Sequence, residues 1–156
     1  MANSYTQIYV HFVFVVKGRD NLISKDFKDE IYKYITGIVT NKKHKLIAIN
    51  GMPDHIHILV GINPVESVSE LIKEVKRSSS FFINEKGWMR GKFSWQSGYG
   101  AFSYSHSQIK MVARYIENQE NHHKKRTFKE EYIELLEKFE ISYENKYVFD
   151  DVLKPN

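Results

Sequence analysis

The chain has 156 residues, 42% of them hydrophobic, and a formal charge of +4 at pH 7. This length suits one compact domain with its own core, so we predict a single domain over residues 1–156. The chain has no cysteine, which excludes disulfides, thiolate metal sites and cysteine nucleophiles. The N-terminus lacks a secretory pattern and no apolar run reaches about 18 residues, so we expect a cytoplasmic protein with no membrane segment.

The predicted elements alternate between strands and helices, according to apolar periodicity, β-branched content and turn residues. In chain order they are a strand over 5–16, a helix over 25–42, strands over 45–50 and 55–61 joined by a turn at 51–54, a helix from Ser67 or Ser69 to about 85, a strand over 99–105, a helix over about 108–123, and a further helical pattern after 127. Ser24 and Ser107 are placed to cap the first and third helices.

This order predicts the split βαβ, ferredoxin-like (RRM-like) fold of the α+β class. The sheet would have four antiparallel strands, with the first and third predicted strands, 5–16 and 55–61, in the centre. The helices would pack on one face of the sheet and leave the other face open.

Two histidines, His55 and His57, begin the third strand immediately after the turn. Because strand side chains alternate between faces, both imidazoles point to the same side, roughly 6 to 7 Å apart. Ile56, Ile58 and Val60 point to the other side and predict a buried face. A histidine pair at this spacing can bind one metal ion, and it can equally be a half-buried pair satisfied by hydrogen bonds.

Basic residues near aromatic ones follow this strand and form candidate contacts to nucleic acid. We select as candidates Lys73, Lys76, Arg77, Lys86, Arg90 and Lys92 for phosphates and Trp88 for base stacking. Charge alone fits solvated helix faces just as well.

The third predicted helix carries Tyr115 and Gln119, which are four residues apart. This spacing places the hydroxyl and the amide on one helix face, with their Cβ atoms about 6 Å apart. The two groups can therefore address one site, although a helix tyrosine most often serves packing.

Three motifs in this order resemble the single-tyrosine transposases of the His-hydrophobic-His (HUH) class, which are encoded by insertion sequences, and their repeat-associated relatives. The motifs are Met52-Pro53-Asp54-His55-Ile56-His57-Ile58-Leu59-Val60, Trp95-Gln96-Ser97-Gly98-Tyr99, and Tyr115-Ile116-Glu117-Asn118-Gln119 followed by His122-His123. The likeness extends from the first strand to about Lys125. The resemblance implies a catalytic core over 1–125 and a C-terminal helix and tail over 126–156.

The resemblance implies cleavage and rejoining of single-stranded DNA through a 5′-phosphotyrosine. Tyr115 would be the nucleophile, on a C-terminal helix of the core, and His55, His57 and Gln119 would bind Mg²⁺ or Mn²⁺. His122 and His123, one turn beyond Gln119, are alternatives for the third ligand. The implied partners are hairpin-containing ends of single-stranded DNA and a second copy of the chain, in a homodimer whose tyrosine helix completes its own or the partner's site.

Two other functions remain open from the residues. One is a non-catalytic, single-stranded nucleic-acid-binding protein of the same fold, which would have no need for all four proposed site residues. The other is a metallohydrolase that uses bound water, with Tyr115 in a structural role. Supporting ligands at a regular spacing are missing from the sequence, which disfavours the hydrolase.

Overall fold

The computed structural model describes residues 3–144. Its strands are β1 (Tyr9–Val15), β2 (Lys45–Met52), β3 (His55–Gly61) and β4 (Gly100–Tyr104), and its helices are α1 (Lys28–Asn41), α2 (Val68–Lys86), α3 (Ile109–Glu117), α4 (Gln119–His123) and α5 (Phe128–Lys138). The predicted tail beyond residue 144 lies outside this description. Among the described helices, none combines the length and hydropathy needed to cross a bilayer.

The four strands form one antiparallel sheet in the order β2-β3-β1-β4. The predicted ferredoxin-like fold is therefore confirmed, and β1 and β3 are the central strands. In the register between them, Val13 lies opposite His57 and Val15 lies opposite His55. Both central strands are buried along almost their whole length, because β-branched and aromatic residues occupy both faces.

The sheet face that carries the isoleucines packs against α1 and α2. Their apolar residues, such as Ile31, Ile35 and Leu71, form one cluster with Phe12, Ile58 and their neighbours in the sheet. This face is the core that the sequence predicts. Of the two serines predicted to begin the second helix, Ser67 caps α2, because its side chain accepts a hydrogen bond from the backbone N–H of Glu70.

The histidine face is covered, which differs from the open face expected from sequence. Val112 and Ile116 of α3 pack over Leu59, and Phe128, Leu135 and Leu136 of α5 pack over Val13, Val15 and Phe102. The two helices can cover this face because each presents an apolar stripe at helical spacing. The sheet is therefore the middle layer of three, and its histidines are internal.

One predicted helix start is wrong by three residues, and neither predicted serine cap is observed. The first helix begins at Lys28, and Ser24 does not cap it. The third helix is preceded by a 3-10 turn, where Ser105 rather than Ser107 forms the capping box with Gln108. At the first helix, Ser24 contributes its backbone carbonyl, which accepts from the N–H of Lys28, and not its hydroxyl.

The predicted helix over 108–123 is divided in two at Asn118. This residue has φ −98° and ψ 24°, outside the helical range, and it separates α3 from α4. The side chain of Asn50 on β2 donates a hydrogen bond to the last carbonyl of α3, that of Glu117, at 2.9 Å. The break therefore falls between Tyr115 and Gln119, and a strand residue stabilises it.

Candidate active site

The histidine pair lies fully inside the molecule, with both side chains 0% exposed. His55 Nδ1 donates to the carboxylate of Asp54 at 2.7 Å, and His57 Nδ1 lies 2.8 Å from Nε2 of His11 on β1. A histidine that binds a metal through one ring nitrogen commonly has the other held in this way. The two Nε2 atoms are therefore turned toward one common position.

Tyr115 and Gln119 reach that position from the helices above the sheet. The Gln119 side chain is fully buried, and its Oε1 lies 3.2 Å from Nε2 of His55. The ring of Tyr115 meets that of His57 edge to face, with the centroids 6.0 Å apart. Within this single chain, the helix break at Asn118 does not prevent both side chains from converging on the histidine pair.

Glu131 of α5 occupies the centre of the group, and sequence reasoning missed it. Its Oε1 lies 3.1 Å from Nε2 of His57 and 3.7 Å from Nε2 of His55, while Oε2 accepts hydrogen bonds from the Tyr115 hydroxyl and the Gln119 amide. Potential ligand atoms of His55, His57 and Glu131 all lie within 4.8 Å of one another. No local sequence pattern predicts that Glu131 belongs to the site, because it is 74 residues from His57 in the chain.

The donor set fits a cation. Because His55 donates from Nδ1 to a carboxylate, a neutral ring presents a lone pair at Nε2, and that lone pair faces Oε1 of Gln119 and Oε1 of Glu131. Three lone pairs that face one another need a proton or a cation among them. Two imidazoles with amide and carboxylate oxygens suit Mg²⁺ or Mn²⁺, and the imidazoles favour Mn²⁺.

Electrostatics in the site favour a neutral histidine beside an ionised carboxylate. Burial lowers the pKa of His57, only partly opposed by Glu131. Burial also opposes ionisation of Glu131, but hydrogen bonds from His123 and His57 outweigh it and hold the pKa of that carboxyl well below its usual range. Burial, followed by the charge of Glu131, raises the pKa of the Tyr115 hydroxyl, so this hydroxyl holds its proton at neutral pH.

Tyr115 is also the point where the site meets solvent. A cavity of about 340 Å³ between α3 and α5 is lined by Tyr115 and Glu131, by the basic residues Arg126 and Lys138, and by Glu134, the ion-pair partner of Arg126. Nη2 of Arg126 lies 3.5 Å from the Tyr115 hydroxyl. A substrate phosphate entering this cavity would meet the tyrosine hydroxyl and a guanidinium together.

The residues predicted to contact DNA lie on and after α2, across the sheet from the site. Lys76 is committed to the backbone carbonyls of Gln96 and Gly98, at 2.7 Å each, and Trp88 stacks on Phe27. The structure thus gives two of the seven a structural role. Five are exposed side chains, and their contact with DNA stays a prediction: Lys73, Arg77, Lys86, Arg90 and Lys92.

Fold and site together define the class of protein: a ferredoxin-like domain in which a strand histidine pair meets a helix tyrosine, as in DNA transposases of the single-tyrosine kind. The family model described as "Transposase IS200 like" matches residues 4–119, most of the chain. The chain belongs to the IS200-like transposase family, so the resemblance in the motifs is confirmed. Its members are enzymes of DNA transposition encoded by insertion sequences.

One curated relative agrees with this assignment, and two solved structures share the fold. The chain is 25% identical over 120 residues to the ISDra2 transposase TnpA of Deinococcus radiodurans, covering 72% of this chain and 84% of the relative. A solved structure of a transposase candidate from D. radiodurans R1 matches with a TM-score of 0.60, 23% identity, and coverage of 76% of this chain and 96% of that one. A REP-associated tyrosine transposase bound to a REP hairpin matches with a TM-score of 0.56, 12% identity, and coverage of 76% and 70%.

Proposed function

We propose that this transposase cleaves and rejoins single-stranded DNA with Tyr115 as nucleophile and a divalent metal, Mg²⁺ or Mn²⁺, held by His55, His57 and Gln119. One observation carries the proposal: the Tyr115 hydroxyl and the Nε2 atoms of both histidines surround a single carboxylate. The proposed nucleophile and two of the proposed metal ligands therefore meet at one buried group.

In the proposed step, the Tyr115 oxygen forms a bond to the phosphorus and the bond from phosphorus to the 3′ oxygen breaks. The tyrosine loses its proton and the departing 3′ oxygen gains one, so no co-reactant is consumed. Attack by another 3′ hydroxyl on the phosphotyrosine rejoins the strand and restores the tyrosine. Phosphoryl transfer of this kind depends mainly on positioning and on neutralising charge.

The bound metal would supply positive charge to a nonbridging oxygen of the phosphate and to the developing phenolate. Residues of the chain orient the proposed ligands and the nucleophile. Asp54 and His11 fix the orientation of the two histidines, and Arg126, which also pairs with Glu134, donates to the hydroxyl of Tyr115 at 3.5 Å.

The solved structure with a REP hairpin supports DNA with a hairpin as the partner class. A homodimer stays part of the proposal. Tyr115 of this chain reaches its own histidine pair, which supports attack within one subunit; exchange of the tyrosine helix would require α3 and α4 to leave the sheet.

The test is formation of a covalent adduct on a labelled, hairpin-containing single-stranded oligonucleotide, resolved on a denaturing gel with Mn²⁺ or with chelator. We expect an adduct that needs Mn²⁺ and disappears in Tyr115→Phe. Tyr9→Phe is the matched control, because its hydroxyl bonds to His106 outside the site. Cleavage that survives Tyr115→Phe would support a metallohydrolase, and binding without cleavage would support a nucleic-acid-binding module.

A further inference from the structure

The carboxylate of Glu131 lies within ligand distance of the histidine pair. Atoms that bind one ion at about 2.1 Å lie roughly 3 to 4 Å from one another, and Glu131 Oε1 is 3.1 Å from Nε2 of His57 and 3.7 Å from Nε2 of His55. We propose that Glu131 is an additional metal ligand, supplied by α5. This inference rests on the proposed function, because it assumes the same metal centre.

The burial of Glu131 supports this role. Its side chain is 0% exposed, and its ion-pair partners in the described part of the chain are three histidines: His55, His57 and His123. The nearby guanidinium of Arg126 pairs with Glu134 instead. The three imidazoles are charged only if protonated, so a cation bound among them would give this buried carboxylate a permanent counter-charge.

Ligand chemistry points the same way. His55, His57 and Gln119 offer two nitrogens and one neutral oxygen, whereas Mg²⁺ and Mn²⁺ bind carboxylate oxygen preferentially. Without Glu131 the set carries no negative charge. The carboxylate therefore governs the affinity for the metal more than the amide does.

The second oxygen of Glu131 joins the metal site to the nucleophile. Oε2 accepts from the Tyr115 hydroxyl, while Oε1 faces the histidines. Glu131 thereby holds the hydroxyl beside the metal position. Because α5 lies beyond the family-matched segment 4–119, a helix outside that segment completes the site.

The test is Mn²⁺ binding to the full chain by titration calorimetry. We expect Glu131→Gln to weaken binding at least tenfold, and Glu131→Asp, which keeps the charge, to weaken it less. Glu137→Gln is the matched control, because it removes an exposed carboxylate on the same helix whose partner is Tyr143. Equal Mn²⁺ affinity for wild type and Glu131→Gln would overturn the inference.

Thermal melting in chelator shows whether the variant is folded and gives an independent readout. A ligand role predicts that added Mn²⁺ raises the melting temperature of Glu131→Gln less than it raises that of wild type, each compared with its own value in chelator. A marked drop in chelator, with unchanged Mn²⁺ affinity, would assign Glu131 a purely structural role. More adduct from Glu131→Gln at unchanged Mn²⁺ affinity would instead make the carboxylate a competitor of the DNA phosphate.

These outcomes separate the inference from the proposed function. If the wild type binds Mn²⁺ and forms the Tyr115 adduct while Glu131→Gln binds Mn²⁺ equally well, only the ligand assignment fails. If the wild type binds no Mn²⁺ and forms no adduct, the proposed function fails with it.

Discussion

Replacing Gly51 by alanine tests how closely the two strands of the histidine hairpin approach. A Cβ at Gly51 would lie 2.1 Å from the carbonyl oxygen of His55 and 3.0 Å from the Cα of Ile56. Both are backbone atoms, so no side chain can rotate away to make room. To restore ordinary contact, β3 must move by about 1 Å relative to β2.

The cost follows from three contributions. Overpacking costs about 1–3 kcal/mol, and each ladder hydrogen bond weakened by the shift costs about 1 kcal/mol. Replacing glycine by alanine also reduces the conformational entropy of the unfolded chain, which offsets about 0.4–1 kcal/mol of this loss. We therefore expect Gly51→Ala to lower the free energy of unfolding by about 2–4 kcal/mol, a large part of the 5–15 kcal/mol typical of a domain.

Gly37→Ala is the matched control, since the chemical change is identical. Gly37 lies within α1, and a Cβ there meets nothing within 4 Å. This substitution should raise stability by about 0.5–1 kcal/mol through helix propensity. Urea unfolding followed by circular dichroism measures both variants. A Gly51→Ala protein as stable as wild type, with Gly37→Ala stabilised as expected, would refute the close approach of the strands.

Four further substitutions test the site, the surface and the pH response. Asp54→Asn should weaken Mn²⁺ binding about 10- to 100-fold in calorimetry, because the carboxylate orients His55; unchanged affinity would contradict that role. Arg90→Ala and Lys92→Ala should each weaken DNA binding for all sequences alike and reduce the salt slope by about one, and an unchanged slope would remove them from the interface. Hydrogen bonds from a lysine and a histidine lower the pKa of Glu66. The ionised Glu66 carboxylate therefore contributes to stability above the ordinary glutamate pKa of about 4.3, and this contribution is lost as the pH falls through the lowered pKa. Glu66→Gln should thus cost about 1 kcal/mol at pH 7 and nothing in strong acid, and a pH-independent deficit in urea unfolding would argue against the ionised bonds.

The sheet could be predicted because its determinants are local. The run from Tyr9 to Val15 is β-branched and aromatic throughout, and the turn before His55 separates two strands of opposite direction. Alternation along β3 then decides that both histidines share a face. The order of elements restricts the fold to a few topologies, of which the ferredoxin-like one is observed.

The cover of the histidine face and the centre of the site could not be predicted in the same way. Glu131 meets Tyr115 across 16 residues and His57 across 74, and these contacts depend on how α5 packs rather than on any spacing in the chain. The sequence between Thr127 and Lys138 reads as an ordinary amphipathic helix, in which one glutamate among several happens to face inward. Burial of a charge is a tertiary property, and only the folded chain reveals it.

The break at Asn118 has a mechanical consequence. In one continuous helix, Tyr115 and Gln119 would change orientation together. A tilt that turned the Tyr115 oxygen toward an incoming strand would therefore also move Gln119 away from His55. With the helix divided, Tyr115 and Gln119 belong to two separate helices, and the Asn50 side chain holds the end of α3 at the carbonyl of Glu117. The orientation of the attacking atom is therefore set by one helix and that of the ligand by another, although only four residues divide them.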